Sequence, residues 1–266
     1  MAVSRFAART LSLFILLFSS LAGADALDDI LDKGMIRVGV AEFIPWTIKT
    51  KSGDLIGFEI DVAKKIAKDM GVEPEFKLYA WGEIIPALRR GEIDVIAGGM
   101  AITPGRALQI NFSRPLAKSG VGLATNTAMT REIQTLEQLN DAQIVITTVA
   151  GTLANNVSQT LFGRANIKVF ETQELAEKEI LEGRAHAYLA GMPEVKFLAL
   201  RHSADIDLPI SEPLLASTEA LAVKKGEQEL LNFLNAWVTV RQTDKWLPTS
   251  HDYWFGTLDW VPEVTK

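Results

Sequence analysis

The 266-residue chain has no cysteine, and its three histidines, His186, His202 and His251, are scattered without ligand spacing. A disulfide framework and a thiolate metal centre are excluded, and neither a metal nor a cofactor is expected. Positive charge is not in excess: 27 lysines and arginines face 33 aspartates and glutamates, a net charge of −6, with no basic stripe. Nucleic acid is therefore not an expected partner. Long apolar runs are missing too, apart from Leu11 to Leu21, which is too short to cross a bilayer comfortably. Arg5 and Arg9 precede this run, and two small-residue patterns follow it, Ala22-Gly23-Ala24 and Ala24-Asp25-Ala26. Residues 1–26 thus read as a cleavable export signal, with cleavage after Ala24 or Ala26 and the periplasm as the expected location. Roughly 240 residues then remain, enough for one large domain or two modest ones.

What is present is alternation. A short acidic helix (Leu27 to Lys33) precedes a buried strand, Met35 to Val40. The aromatic loop Phe43-Ile44-Pro45-Trp46 and a turn at Ser52-Gly53-Asp54 follow. Ile60, Ala63, Ile66, Ala67 and Met70 make a helical stripe that Gly71 ends. Strand, helix and strand are expected next over Glu75 to Tyr79, Ile84 to Arg90 and Ile93 to Ala97. The pattern restarts at Gln143 to Val149 and runs through Leu153 to Leu161, Lys168 to Phe170, Thr172 to Glu182 and Ala185 to Ala190. A returning strand (Glu219 to Val223), a helix (Glu227 to Arg241) and a tryptophan-rich tail complete it. This is the signature of α/β layers with mainly parallel sheets, in two units joined near Gly120 to Thr127. Such sheets bind small polar ligands at the carboxyl ends of their strands.

The segment Ala97 to Arg106, AGGMAITPGR, carries the most chemistry. An apolar strand runs into Gly98 and Gly99, which let a ligand approach the backbone. Thr103 suits a helix N-cap and Pro104 the first turn. Arg106 then falls in that turn, its guanidinium a fork that can grip a carboxylate bidentately. Helix N-termini attract anions. A strand–turn–helix with a surface arginine is the alternative on this segment alone.

The chain resembles the family-3 periplasmic solute-binding proteins, which deliver polar amino acids to ABC importers. The matching stretches are Ile36 to Val40, Gly57 to Ala63, Trp81 to Leu88, Gly91 to Val95, Gly99 to Arg106, Asn111 to Pro115, Ala150 to Thr152 and Gly183 to Ala187. The resemblance implies a two-lobed type II periplasmic-binding-protein fold, α/β with mixed, mainly parallel sheets flanked by helices and a hinged cleft between. Lobe 1 is expected over 27–122 plus 217–266, and lobe 2 is inserted over 123–216. It implies a small carboxylate-bearing ligand, a membrane permease of an ABC importer as partner, and a monomer without catalytic residues. By residue, Phe43 and Trp81 match the aromatic walls, and the Gly99 carbonyl the acceptor for a ligand amino group. Arg106 matches the clamp for the α-carboxylate, completed by Gly151 and Thr152.

Departures from the family pattern fall at the amino end. Val40 stands where an acidic residue is often found before the first-loop aromatic, and Ala101 replaces a hydroxyl. Gly191, in Ala190-Gly191-Met192-Pro193-Glu194, replaces the aspartate that pairs with the α-ammonium. A desolvated ammonium without a carboxylate would cost several kcal/mol. Glu194 and Glu42 are the only nearby carboxylates able to replace that aspartate, although a glutamate opening a helix, as Glu194 does, often merely complements the helix dipole. Periplasmic cyclohexadienyl dehydratases share the fold and carry a glutamate where Glu194 stands, so an enzyme with Glu194 as general acid is the alternative. A sensory ligand-binding protein is a third reading. Glu59 and Asp61 are expected to serve a helix start, and Tyr253, Trp254, Phe255 and Trp260 to pack on lobe 1.

Overall fold

The computed structural model describes residues 25–257, 260 and 261. The export signal therefore lies, but for Asp25 and Ala26, outside the described residues. In the first lobe, α1 (Ala26–Lys33) leads to β1 (Met35–Val40) and the hairpin of β2 (Ile48–Lys49) and β3 (Leu55–Ile56). Then come α2 (Phe58–Met70), β4 (Glu73–Leu78), α3 (Trp81–Arg90), β5 (Val95–Ile96), the single turn α4 (Pro104–Ala107) and β6 (Ile110–Phe112). In the second lobe the elements are β7 (Ala117–Asn126), β8 (Val145–Val149), α5 (Leu153–Leu161), β9 (Asn166–Phe170) and α6 (Gln173–Leu181). They continue as β10 (Ala187–Gly191), α7 (Met192–Arg201), β11 (Ile206–Asp207) and β12 (Leu215–Glu219). The chain returns to the first lobe with β13 (Ala222–Lys224), α8 (Gln228–Thr243) and α9 (Trp246–His251). Among the described residues no helix is long and apolar enough to cross a membrane.

Two sheets result. The first has the order β4-β1-β5-β13-β6, with β1 parallel to β4 and β5 and the returning β13 antiparallel to both neighbours. The second has the order β11-β7-β10-β8-β9, with β12 also on β7. Ile36, Val38 and Val40 of β1 are fully buried, because helices cover both faces of a parallel sheet. Amphipathic α2 buries Ile60, Ala63, Ile66 and Ala67, the stripe read from the sequence.

Residues 120–127 are not a linker. All but Thr127 belong to β7, buried from Gly120 to Asn126 and paired antiparallel with β10, β11 and β12. Small residues made the segment look like a connection, yet Gly122 is small because Val195 and Met192 of α7 press on it. Glu219, expected to begin the returning strand, instead ends β12 and bridges Ala101 of the first lobe. The strands change sheet between Phe112 and Ala117 and between Glu219 and Ala222. These two crossings are tied side by side: Leu116 N–H donates to the Glu219 carbonyl at 2.8 Å and Ser113 N–H to the Leu221 carbonyl at 2.9 Å.

The aromatic tail does more than pack on the first lobe. Trp254 Nε1 donates to Asp61 Oδ2 at 2.8 Å, holding the tail to the start of α2. Trp260, fully buried, also meets Phe197 of α7 in the second lobe, ring centroids 5.1 Å apart. The tail thus touches both lobes.

Candidate functional site

The strand ends of both lobes face one cavity of about 560 Å³, including its open mouth. Phe43, Trp81, Gly99, Ala101, Arg106, Thr152, Gly191 and Glu194 all line it; Gly151 stands at its edge. Eight of these nine residues therefore share one space.

At one end the guanidinium of Arg106 is held by two carbonyls. Nη1 donates to Ala101 O at 2.8 Å, and Nη2 reaches across the cleft to Gly151 O at 3.0 Å. Thr103 caps α4 as expected, accepting from Arg106 N–H. Trp81 Nε1 donates to the same Gly151 carbonyl at 3.2 Å, and its ring lies 5.5 Å from Arg106 Cζ. Phe43 stands edge-on to Trp81, centroids 5.3 Å apart. Burial lowers the Arg106 pKa to about 10, so the group stays cationic at neutral pH. It forms no ion pair among the described residues. Across the cleft Thr152 is the N-cap of α5: its hydroxyl accepts from Asn155 N–H and donates to Val149 O at 2.8 Å. The first-turn N–H groups of α5 have no partner within the helix, so this end of the cavity presents donors and positive charge.

The other end is acidic, and much of it was not foreseen. Glu194 is buried: Oε1 accepts from Gly191 N–H at 3.1 Å and Oε2 from the Tyr188 hydroxyl at 3.1 Å. A β-carbon on Gly191 would stand 2.9 Å from Glu194 Oε1 and 3.0 Å from the rim of Trp46. The place of a side chain at 191 is thus already filled, and the carboxylate absent there arrives from one helical turn further on. Glu42, the other candidate to replace that acid, does not reach the cavity: it is exposed and faces a separate groove.

Glu219 is the residue that sequence reasoning missed, together with Trp46. Glu219 lines the cavity, buried, with Oε2 accepting from Trp46 Nε1 at 2.7 Å and a further bond to Ser119. The indole of Trp46 crosses the floor between the lobes. It lies over Gly99, where a β-carbon would come within 2.5 Å of Nε1, and reaches Gly191 with its far edge. Gly99 adopts a left-handed φ of 64° and is held by its N–H, which donates to Glu59 Oε1 at 2.9 Å. Glu59 therefore supports the floor as well as starting a helix. The glutamate at the end of an otherwise small, neutral strand was the available signal for Glu219; Trp46 lay in a loop already marked as aromatic.

Burial pushes these carboxyls up: Glu194 to about 8, Glu59 to about 8 and Glu219 to about 7. Glu177 and Glu219 raise Glu194 further, against the Gly191 and Tyr188 bonds that lower it. None of the three forms an ion pair among the described residues. A cation at one end and protonatable acids at the other suit a small dipolar ligand enclosed by two lobes.

Two α/β lobes, a double crossing and a ligand-sized cleft between strand ends define a two-lobed periplasmic-type binding protein. The family model of the bacterial extracellular solute-binding proteins, family 3, matches residues 36–257, and the chain belongs to that family. It is similar to the L-cystine-binding protein TcyJ of Escherichia coli strain K12, 24% identical over 93% of this chain and 90% of that protein. It is also similar to cyclohexadienyl dehydratase of Pseudomonas aeruginosa, 21% identical over 86% of this chain and 85% of the enzyme. Among solved structures it resembles the ancestral amino acid-binding protein AncCDT-1, a precursor of cyclohexadienyl dehydratase. That match has a TM-score of 0.80 at 31% identity, covering 87% of this chain and all of the other.

Proposed function

We propose that this protein captures a small carboxylate-bearing solute of the amino-acid class in the periplasm and presents it to the permease of an ABC importer. The observation that carries the reading is Arg106, a cation in the cavity whose guanidinium hydrogen-bonds to carbonyls and has no ion pair among the described residues, opposite the N-terminus of α5. A ligand carboxylate meeting it joins the lobes by the path that Arg106 and Trp81 already take to Gly151. Family membership and relatives named for amino-acid binding support the same reading. Calorimetry against amino acids and organic acids tests it; binding by none of them, or affinity unchanged in Arg106→Ala, defeats it.

Export with cleavage after Ala24 belongs to this reading. Asp25 accepts from Leu27 N–H in its own helix and from Glu229 and Leu230 N–H at the start of α8. Cleavage after Ala26 would remove a residue that caps two helices. N-terminal sequencing of the exported protein is expected to begin at Asp25.

One observation favours a second, enzymatic reading. Glu194 is a buried carboxyl near 8, able to hold a proton at neutral pH and give it to a departing hydroxyl. Turnover of a cyclohexadienyl substrate by purified protein, lost in Glu194→Gln, would establish it; no product above background excludes it.

A further inference from the structure

We infer that Gln173, outside the ligand cavity, is a closure latch. Its side chain ties the loop that carries Phe43 and Trp46 to the second lobe, and so sets how long the lobes stay closed on a ligand.

Gln173 is the first residue of α6, behind the Thr172 cap, and it is only 6% exposed. A glutamine ordinarily stands in water, and one that is buried needs partners for both ends of its amide. Both are present. Oε1 accepts from the backbone N–H of Ile44 in the first lobe at 3.0 Å, and Nε2 donates to Glu177 Oε1, one turn along α6, at 2.6 Å. The buried Glu177 thereby holds the amide the way round that leaves its carbonyl oxygen for Ile44. A long side chain is fixed in advance, so little rotamer freedom is left to lose when it meets the other lobe.

The bond is placed to act on the cavity without entering it. Arg106 Nη2 and Trp81 Nε1 cross to Gly151 O at the edge of the cavity, where a ligand carboxylate competes for Arg106. Neither Ile44 nor Gln173 lines that cavity; they meet in the separate groove that Tyr79 and Arg201 also line. Ile44 sits in a closed turn, bridged from Phe43 to Thr47, with Thr47 N–H donating to Phe43 O at 2.8 Å. Phe43 and Trp46 of that turn both line the cavity. Holding Ile44 against α6 therefore holds both rings in the cavity wall, whatever the chemistry of the ligand.

The test uses the exported chain, Asp25 onward, whose lack of cysteine allows spin labels at two chosen sites. Lys68→Cys on α2 and Leu161→Cys on α5, both exposed, report the distance between the lobes by pulsed electron resonance. Distances are measured for the chain alone and with each of the twenty L-amino acids and a set of small organic acids. The parent is expected to show a closed, short-distance population. Gln173→Leu should raise the open-to-closed ratio about three- to tenfold, the worth of one hydrogen bond between neutral groups. Gln173→Asn, too short to reach both partners, should act in the same direction. Glu177→Gln keeps an acceptor for Nε2 and should stay within about threefold of the parent. For the probe that binds tightest, stopped-flow tryptophan fluorescence should show dissociation about three- to tenfold faster in Gln173→Leu, with association changed less than about twofold. A role confined to fold stability would move the melting temperature and leave both readouts in place. An unchanged open-to-closed ratio in both Gln173 variants overturns the inference, as does a parent that stays open under every condition. So does an unchanged dissociation rate for a bound probe. Only this dissociation arm rests on the reading that the cavity takes a carboxylate ligand. If no probe binds, that reading falls, and the distances still decide for or against the latch.

Discussion

The two ends of the cavity were built by different means. The Arg106 end comes from a short contiguous motif, in which Thr103 caps, Pro104 starts and Arg106 projects, plus one carbonyl from Gly151 opposite. The acidic end is gathered from four distant segments: the loop bearing Trp46, the turn at Gly99, the α7 start with Gly191 and Glu194, and the β12 terminus at Glu219. Local chemistry can write a clamp for a carboxylate, because a helix start and a forked cation lie within ten residues of each other. The acidic end consists of desolvated acids, and burying acids safely takes donors that only tertiary packing brings together.

Arg106→Ala breaks the first end outright. Truncating one partner of a desolvated charge pair costs about 2–5 kcal/mol, so affinity in calorimetry should fall about 30-fold or more. Arg106→Lys should recover only part of it, since a point charge replaces a planar fork.

Lowering the pH tests the second end while sparing the first. Arg106, near 10, stays charged from pH 8 to pH 6, whereas Glu194 near 8 and Glu219 near 7 take up protons in that window. Around Glu194 stand Tyr188 and Glu177, and around Glu219 stand Trp46, Ser119 and Glu59. Stability of the unliganded protein responds to the same window. The folded state binds more protons than the unfolded one above the ordinary glutamate value of 4.5, so stability declines as pH rises from there towards 8. The melting temperature is therefore expected to be higher at pH 5 than at pH 8.

Gly191→Asp sharpens the comparison by restoring the acid that the family pattern places there. The new side chain meets Glu194 and Trp46, so urea denaturation should show a loss of about 1–3 kcal/mol. Adding Trp46→Ala opens the space, and the double variant should be less destabilised than the two single changes summed. The smallest effect is expected from Thr152→Ala, which removes the α5 cap at about 1 kcal/mol of stability.

Much of the fold was legible. The strand Met35 to Val40 and the helix Leu153 to Leu161 stand where hydrophobic pattern and capping put them. Of the site, the Arg106 motif and the aromatic pair Phe43 and Trp81 could be read because each signal is local. The strand β7 could not: its glycines and threonines look like a linker until Val195 and Met192 are seen against Gly122. Glu219 was hidden because its meaning lies in a bond to Trp46, 173 residues away in sequence.

By itself the sequence determined the cysteine-free α/β architecture and a capped helix start bearing Arg106, since periodicity, caps and charge act over neighbouring residues. Only the tertiary structure decided what faces Arg106. Gly191 looked like a lost acid. Packing shows instead an indole laid between two glycines, with two glutamates turned in around it, because space and burial are properties of residues that meet only when the chain folds.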